Sequence, residues 1–215
     1  MKFLQFILYL IFPKDKTVRY LEKLSISELY SLLNKSADSL NQEFFSLFMY
    51  RDRNIQTIVH QIKYSANQYF IDICSIYMYE QIIDDLNDLE LFQNFTNPIL
   101  IPVPLAKKKE KERGFNQCEL LVKSIEKIDS NNIFEYQYKS VIKTVETKSQ
   151  TKTKNKKERL KNVRNCFAIS DPSKIESRNI ILIDDVWTTG QTLSEIKKTL
   201  LKAGARQVIA YTIAH

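Results

Sequence analysis

Apolar residues recur every three to four positions over 54–63 ("NIQTIVHQIK"), 69–86 ("YFIDICSIYMYEQIIDDL"), 116–128 ("NQCELLVKSIEKI") and 192–203, and each stretch predicts a helix. In the last, Leu193, Ile196, Leu200 and Leu201 form one stripe, and Gly204 stops it. Between the helices the pattern changes. Residues 98–105 ("PILIPVPL") are a β-branched run held between prolines, 136–145 alternate, 165–170 ("NCFAIS") suit a short strand, and 207–214 ("QVIAYTIA") suit another. "SLFMY" (46–50) reads as an edge strand. Residues 179–185 ("NIILIDD") form a continuous apolar run, as expected of a strand covered on both faces of a parallel sheet. Strand, helix and strand in this order predict a βαβ unit, and so an α/β domain with a mainly parallel sheet flanked by helices.

Two stretches carry no domain-scale pattern. Residues 1–45 read as a small helical N-terminal region, with Ser27 as cap of "SELYSLLNK", and residues 46–215 as the α/β domain. The leading "MKFLQFILYLIF" has no small-residue cleavage site and falls short of the ~20 apolar residues a bilayer span needs, so it is expected to pack as a helix. Residues 146–164 are polar and predict a long loop, with a basic loop also at 106–115.

Charge sharpens this division. Residues 107–164 hold 17 Lys+Arg and 8 Asp+Glu, whereas the rest of the chain is net acidic, with 15 and 17. A field concentrated this way gathers polyanions, nucleic acid or phosphate-rich small molecules, although the single lysines also suit a solvated loop. The three cysteines, Cys74, Cys118 and Cys166, are too widely spaced for a metal ribbon, and they predict a reducing, cytoplasmic setting.

The densest chemistry is "IILIDDVWTTGQTL" (180–193). The buried strand brings Asp184 and Asp185 to its C-terminal end, the edge at which open α/β sheets bind ligands. The next helix presents unpartnered N–H groups and the positive end of its dipole, Gly190 lets the backbone turn tightly, and Thr188, Thr189 and Thr192 add hydroxyls. Amides for a phosphate beside carboxylates for a diol or a hydrated Mg²⁺ describe a ribose 5-phosphate. Neither a Walker A loop nor a three-glycine dinucleotide fingerprint occurs.

"ILIDDVWTTGQTL" resembles the 5-phosphoribosyl-1-pyrophosphate (PRPP) motif of type I phosphoribosyltransferases. "IPVPLAKKKEKERGFNQCELL" (101–121), "TKSQTKTKNKKERLKNVRNCF" (147–167) and "YRDRNIQTIVHQIKY" (50–64) are similar to further segments of one group, the ComF-type phosphoribosyltransferases, a family associated with natural competence for DNA uptake. The resemblance spans about residues 48–215. It implies a type I phosphoribosyltransferase-like fold and displacement of pyrophosphate from PRPP by a nitrogen nucleophile, or the reverse. By this resemblance Asp184 and Asp185 are the catalytic acids, beside the ribose hydroxyls and Mg²⁺, with the metal held directly, through water or through the ribose. Thr188, Thr189, Gly190, Gln191 and Thr192 form the 5-phosphate loop.

On the same basis Ala106 and Lys107 lie near the pyrophosphate. Arg113, Gly114, Asn116 and Gln117 form a second polar cluster, which also reads as a helix-start turn capped by Asn116. Gln150, Arg159 and Asn162 fall in the hood that closes over the site. Lys63 reads equally as a phosphate neighbour and as a surface lysine, and His60 and His215 are poor candidates for a base. Many members begin with a cysteine-rich zinc ribbon. Residues 1–45 contain no cysteine, so Mg²⁺ and no zinc is the expected cofactor. The implied partners are PRPP and an unidentified acceptor, with single-stranded DNA or competence proteins beside them. A non-catalytic nucleic-acid-handling or competence-machinery role on the same fold is the alternative.

Overall fold

The computed structural model describes residues 15–33, 43–144 and 166–215. Five parallel strands form the central sheet in the order β1-β7-β6-β2-β3: β1 (Phe44–Phe48), β7 (Gln207–Ala214), β6 (Asn179–Val186), β2 (Ile99–Pro102) and β3 (Glu135–Tyr136). A separate antiparallel pair joins β4 (Val141–Lys143) to β5 (Phe167–Ile169). The helices are α1 (Lys16–Leu21), α2 (Ile26–Leu32), α3 (Arg53–Ser65), α4 (Gln68–Gln93), α5 (Lys107–Arg113), α6 (Gln117–Ile128) and α7 (Gln191–Lys202).

Side-chain alternation explains why the central strands are apolar throughout. Ile181, Ile183, Leu100, Ile209 and Tyr211 face one core, which α1 to α4 and α6 cover. Ile180, Leu182, Ile99, Ile101, Val208 and Ala210 face the other, which Leu193, Ile196 and Leu200 of α7 cover. Neither face of β6 meets water, so polar residues enter that strand only at its ends.

The strand order also places the site. From β2 the chain crosses through α5 and α6 to β3 on one side, whereas from β6 it crosses through α7 to β7 on the other. The crevice opens where neighbouring strands send their connections in opposite directions, here beyond the carboxyl ends of β2 and β6. Those ends are tied together, with Pro102 in register with Ile183 and the Val103 N–H donating to the Ile183 carbonyl at 2.9 Å.

Several expectations are corrected. The basic stretch after Ala106 is the short helix α5, built from Lys, Glu and Arg, which favour helices without any apolar stripe to reveal them. Residues 136–145 are not one strand: β3 joins the main sheet and β4 the small one. The edge strand begins at Phe44, two residues early. Ser25, not Ser27, caps α2, because Glu28 three residues on completes a reciprocal capping box with it.

The described N-terminal helices share the main core. Val18, Leu21, Leu29 and Leu33 belong to the same cluster as Phe48, Phe70 and Tyr77, and the Tyr77 hydroxyl donates to the Ile26 carbonyl at 2.5 Å. The helix expected within residues 1–12 and the loop expected at 146–164 lie outside the described residues.

Candidate active site

One cavity lies at the crevice, bounded by the segment after β2 (Val103–Ala106), the end of β6 and the loop leading into α7. Asp184 and Asp185 point to opposite faces of the sheet, as successive strand residues must. Asp184 meets α6, where the Cys118 thiol donates to its Oδ1 at 3.3 Å, and the Asp185 N–H donates to the same oxygen at 2.9 Å. Asp185 meets α3, where the Lys63 ammonium stands 3.1 Å from its Oδ1. Its other oxygen, Oδ2, is buried and has no hydrogen-bond partner among the described residues.

This arrangement sets the local electrostatics. Burial, then the adjacent Asp185 charge, pushes the Asp184 carboxyl up to about 6, against the pull of the Asp185 N–H, the Cys118 thiol and Lys63. Burial and the two carboxylates hold the Cys118 thiol well above its usual range, so it stays protonated and donates. Burial acts to lower Lys63, but the charge and hydrogen bond of Asp185, with Asp184 behind it, outweigh burial and leave the ammonium raised.

The α7 N-terminus builds another wall of the cavity. Gly190 adopts φ +69° as N-cap, and the loop Thr188–Thr192 lines the cavity. A Cβ on Gly190 would stand 2.2 Å from Trp187 Cζ2, because the indole lies across the glycine. The same ring packs on Phe44, with centroids 4.6 Å apart. Glycine is therefore required here for both backbone angle and space. Gln191 carries a buried side-chain oxygen, Oε1, with no partner among the described residues.

Positive charge arrives from two further elements. Lys109 of α5 and Lys143 of β4 both line the cavity. Burial, then the neighbouring Lys109 charge, lowers the Lys143 ammonium.

Of the residues singled out in the sequence, Asp184, Asp185, Thr188, Thr189, Gly190, Gln191, Thr192, Ala106 and Gln117 line this one cavity. Lys107, Arg113, Gly114 and Asn116 do not. Lys107 is exposed at the start of α5, and the cation that faces inward is Lys109, two positions later. Gly114 is the left-handed C-cap of α5, with open space around it. Asn116 caps α6 through the Cys118 N–H at 3.0 Å and donates to the Val103 carbonyl at 3.1 Å, so it braces the wall instead of facing a ligand. Arg113 donates to Gln117 Oε1 at 2.6 Å and covers the Tyr64 ring at 4.9 Å. Gln150, Arg159 and Asn162 lie outside the described residues.

The structure adds Lys109, Lys143 and Cys118 to the cavity, and it shows Lys63 in the cavity wall paired with Asp185. A signal for Lys143 was present in the sequence: it sits two residues after Val141, hence on the same strand face as a buried residue.

A family model described as "Phosphoribosyl transferase domain" matches residues 128–215. Competence protein ComFC of Bacillus subtilis (strain 168) is 35% identical over 116 residues, covering 54% of this chain and 43% of that protein. Competence protein F of Haemophilus influenzae is 32% identical over 117 residues, covering 54% and 49%. These matches support the ComF-type phosphoribosyltransferase family for this chain. The chain aligns with less than half the length of either relative. Among solved structures, an HGPRT-ase from Leishmania tarentolae in complex with GMP aligns at 13% identity and TM-score 0.37, over 67% of this chain and 65% of that one. Both acids, the loop Thr188–Thr192 and α7 fall within the segment matched by the family model, whereas Lys63, Lys109 and Cys118 precede it.

Proposed function

We propose that this chain binds PRPP with Mg²⁺ and transfers the phosphoribosyl group to a nitrogen nucleophile with release of pyrophosphate, or runs the reverse reaction. The observation that carries this reading is the placement in one cavity of two carboxylates at the end of β6 and a glycine-turned helix N-terminus directly after them.

The donor's 5-phosphate is assigned to the α7 amides and the hydroxyls of Thr188, Thr189 and Thr192. Its ribose hydroxyls are assigned to Asp184 and Asp185. Lys109 and Lys143, with the backbone around Ala106, take the pyrophosphate and stabilise its charge as the C1–O bond breaks. Lys63, 3.1 Å from Asp185 Oδ1, orients that carboxylate. The carboxylates of Asp184 and Asp185, the latter with its orphaned Oδ2, are hard oxygen donors suited to Mg²⁺, which when bound would supply charge neutralisation on the pyrophosphate. The bond exchange needs little proton transfer, so rate comes chiefly from positioning and preorganised charge.

Calorimetry with PRPP and Mg²⁺ tests the reading. Heat is expected from the wild type and none from the Asp184→Asn/Asp185→Asn double variant; an absence of heat in the wild type overturns it. The acceptor is sought by repeating the titration with each nucleobase present.

A second reading, handling of single-stranded DNA in competence, is supported by one surface. Tyr64 is 61% exposed beside the site, with His60 tilted against its ring at 4.7 Å and Arg113 over it, next to the basic helix α5. Exposed rings flanked by cations suit base stacking. The relatives' names, competence protein and DNA utilization protein, fit this reading. Binding to oligothymidylate that falls steeply with salt and weakens in Tyr64→Ala supports it; no binding at low salt removes it. Among the described residues no helix is long and apolar enough to cross a membrane. We place the protein in the cytoplasm, where PRPP and Mg²⁺ are available.

A further inference from the structure

The cavity floor holds a donor set that Mg²⁺ does not call for. Cys118 Sγ and one oxygen each from Asp184 and Asp185 all lie within 4.8 Å of one another. The sulfur is already 3.3 Å from Asp184 Oδ1. In a tetrahedral zinc centre, with Zn–S near 2.3 Å and Zn–O near 2.1 Å, donor atoms stand roughly 3.4–3.6 Å apart. Small side-chain rotations therefore close the set. The carboxylates come from the rigid end of β6 and the thiol from the first turn of α6, so the scaffold is preformed.

A second, separate observation points to a cation. The Asp185 side chain is only 7% exposed, and Lys63 satisfies its Oδ1. Its Oδ2, buried and unpartnered among the described residues, is left with no group to accept from. A buried carboxylate oxygen in that state is unfavourable unless a cation reaches it.

Hard Mg²⁺ prefers six oxygens and retains water, and a thiol adds nothing to its binding. A thiolate with two carboxylates selects borderline cations. We propose that Cys118, Asp184 and Asp185 form a site for a thiophilic divalent cation of the Zn²⁺/Co²⁺ class, which competes with Mg²⁺–PRPP for the same carboxylates. Binding replaces the Cys118 thiol proton: the S–H bond breaks, an S–metal bond forms, and one proton leaves to solvent. The remaining position faces the cavity and takes water. The consequence, inhibition of donor binding by zinc, rests on the reading of the site as a PRPP site; the cation site itself does not.

Co²⁺ added to the reduced, ligand-free chain tests this. A near-ultraviolet sulfur-to-cobalt charge-transfer band is expected, bleached by stoichiometric Zn²⁺ and untouched by excess Mg²⁺. Cys118→Ala loses the band and weakens Zn²⁺ binding roughly 10-fold or more, at least the effect of losing a supporting contact to a metal ligand. A Cys74→Ala/Cys166→Ala chain, which keeps only Cys118, retains the band, so the assignment does not depend on Cys118→Ala folding. A folded wild type without the band overturns the proposal, as does a band that survives in Cys118→Ala. Heat from Mg²⁺–PRPP without a cobalt band removes the cation site alone; a cobalt band without PRPP heat removes the transferase reading alone.

Discussion

Replacing Gly190 with alanine separates the two demands on that residue. At φ +69° a residue with a Cβ is disfavoured by about 1–2 kcal/mol. The added methyl would also stand 2.2 Å from Trp187 Cζ2 and 2.5 Å from Cη2, so the indole must swing away. Leaving Phe44, on which it is tilted at 49°, gives up an aromatic contact of about 0.5–1.5 kcal/mol. Together these predict a loss of about 2–3 kcal/mol, a fall in melting temperature of about 4–12 °C for a chain of this size.

The assay has two readouts. Chemical denaturation gives the stability change, and Trp187, the only tryptophan in the chain, reports its own displacement as a red shift in emission. In a Trp187→Ala background the clash is gone, and Gly190→Ala then costs only the backbone part. The reasoning fails if Gly190→Ala costs the same in both backgrounds, because the indole would then not lie on the glycine. It fails more completely if the variant is as stable as the wild type, because the positive φ would then not be required.

The buried acid gives a pH dependence with a definite sign. Asp184 moves from 3.8 to about 6 on folding, so the folded chain keeps a proton that the unfolded chain releases between these values. The contribution of this group to stability is greatest below about pH 4, declines as pH rises and levels off above about 6. Urea denaturation of wild type against Asp184→Asn across that window checks it, and a wild type that gains relative stability with rising pH refutes it. PRPP binding is expected to rise through the same window as the carboxyl ionises. Lys63→Met leaves Asp185 buried beside Asp184 without its cation. Breaking a fully buried pair costs about 3–5 kcal/mol, and since the Lys63 side chain is 23% exposed, about 1–3 kcal/mol is expected at neutral pH. Lys63→Arg should recover most of that loss in the same denaturation assay. Lys109→Met and Lys143→Met should each weaken pyrophosphate binding by about 10-fold or more, the worth of one charged hydrogen bond, whereas Lys107→Met leaves it unchanged. Equal effects at all three positions would mean a diffuse field in place of a shaped site.

Much of the site was legible because it is local. Asp184, Asp185 and the loop Thr188–Thr192 are consecutive in the chain, and a strand that ends where a helix begins leaves them few arrangements. The helix and strand periods were readable for the same reason, since both cores impose them residue by residue. Where no apolar period exists the reading failed: α5 has no buried residue, so only its cap, Gly114, marked it. Of the Arg113–Gln117 cluster, Asn116 and Gln117 open α6 as expected, whereas Arg113 and Gly114 end α5, and the direction of the side chains was not readable. Asn116 turns to the Val103 carbonyl, and Arg113 to Tyr64, a residue 49 positions away in sequence.

By itself, then, the sequence determined an α/β chain with a parallel sheet and, at one strand end, a pair of acids followed by a threonine- and glycine-bearing helix start, because these follow from side-chain period and from contiguous residues. Only the tertiary structure decided which cations and which thiol meet that motif. Lys63, Lys109, Cys118 and Lys143 come from α3, α5, α6 and β4, and their approach depends on a strand order in which β2 and β6 are neighbours. The run 179–185 signals that β6 is covered on both faces, but which strands flank it is a long-range pairing that no local pattern in the chain records.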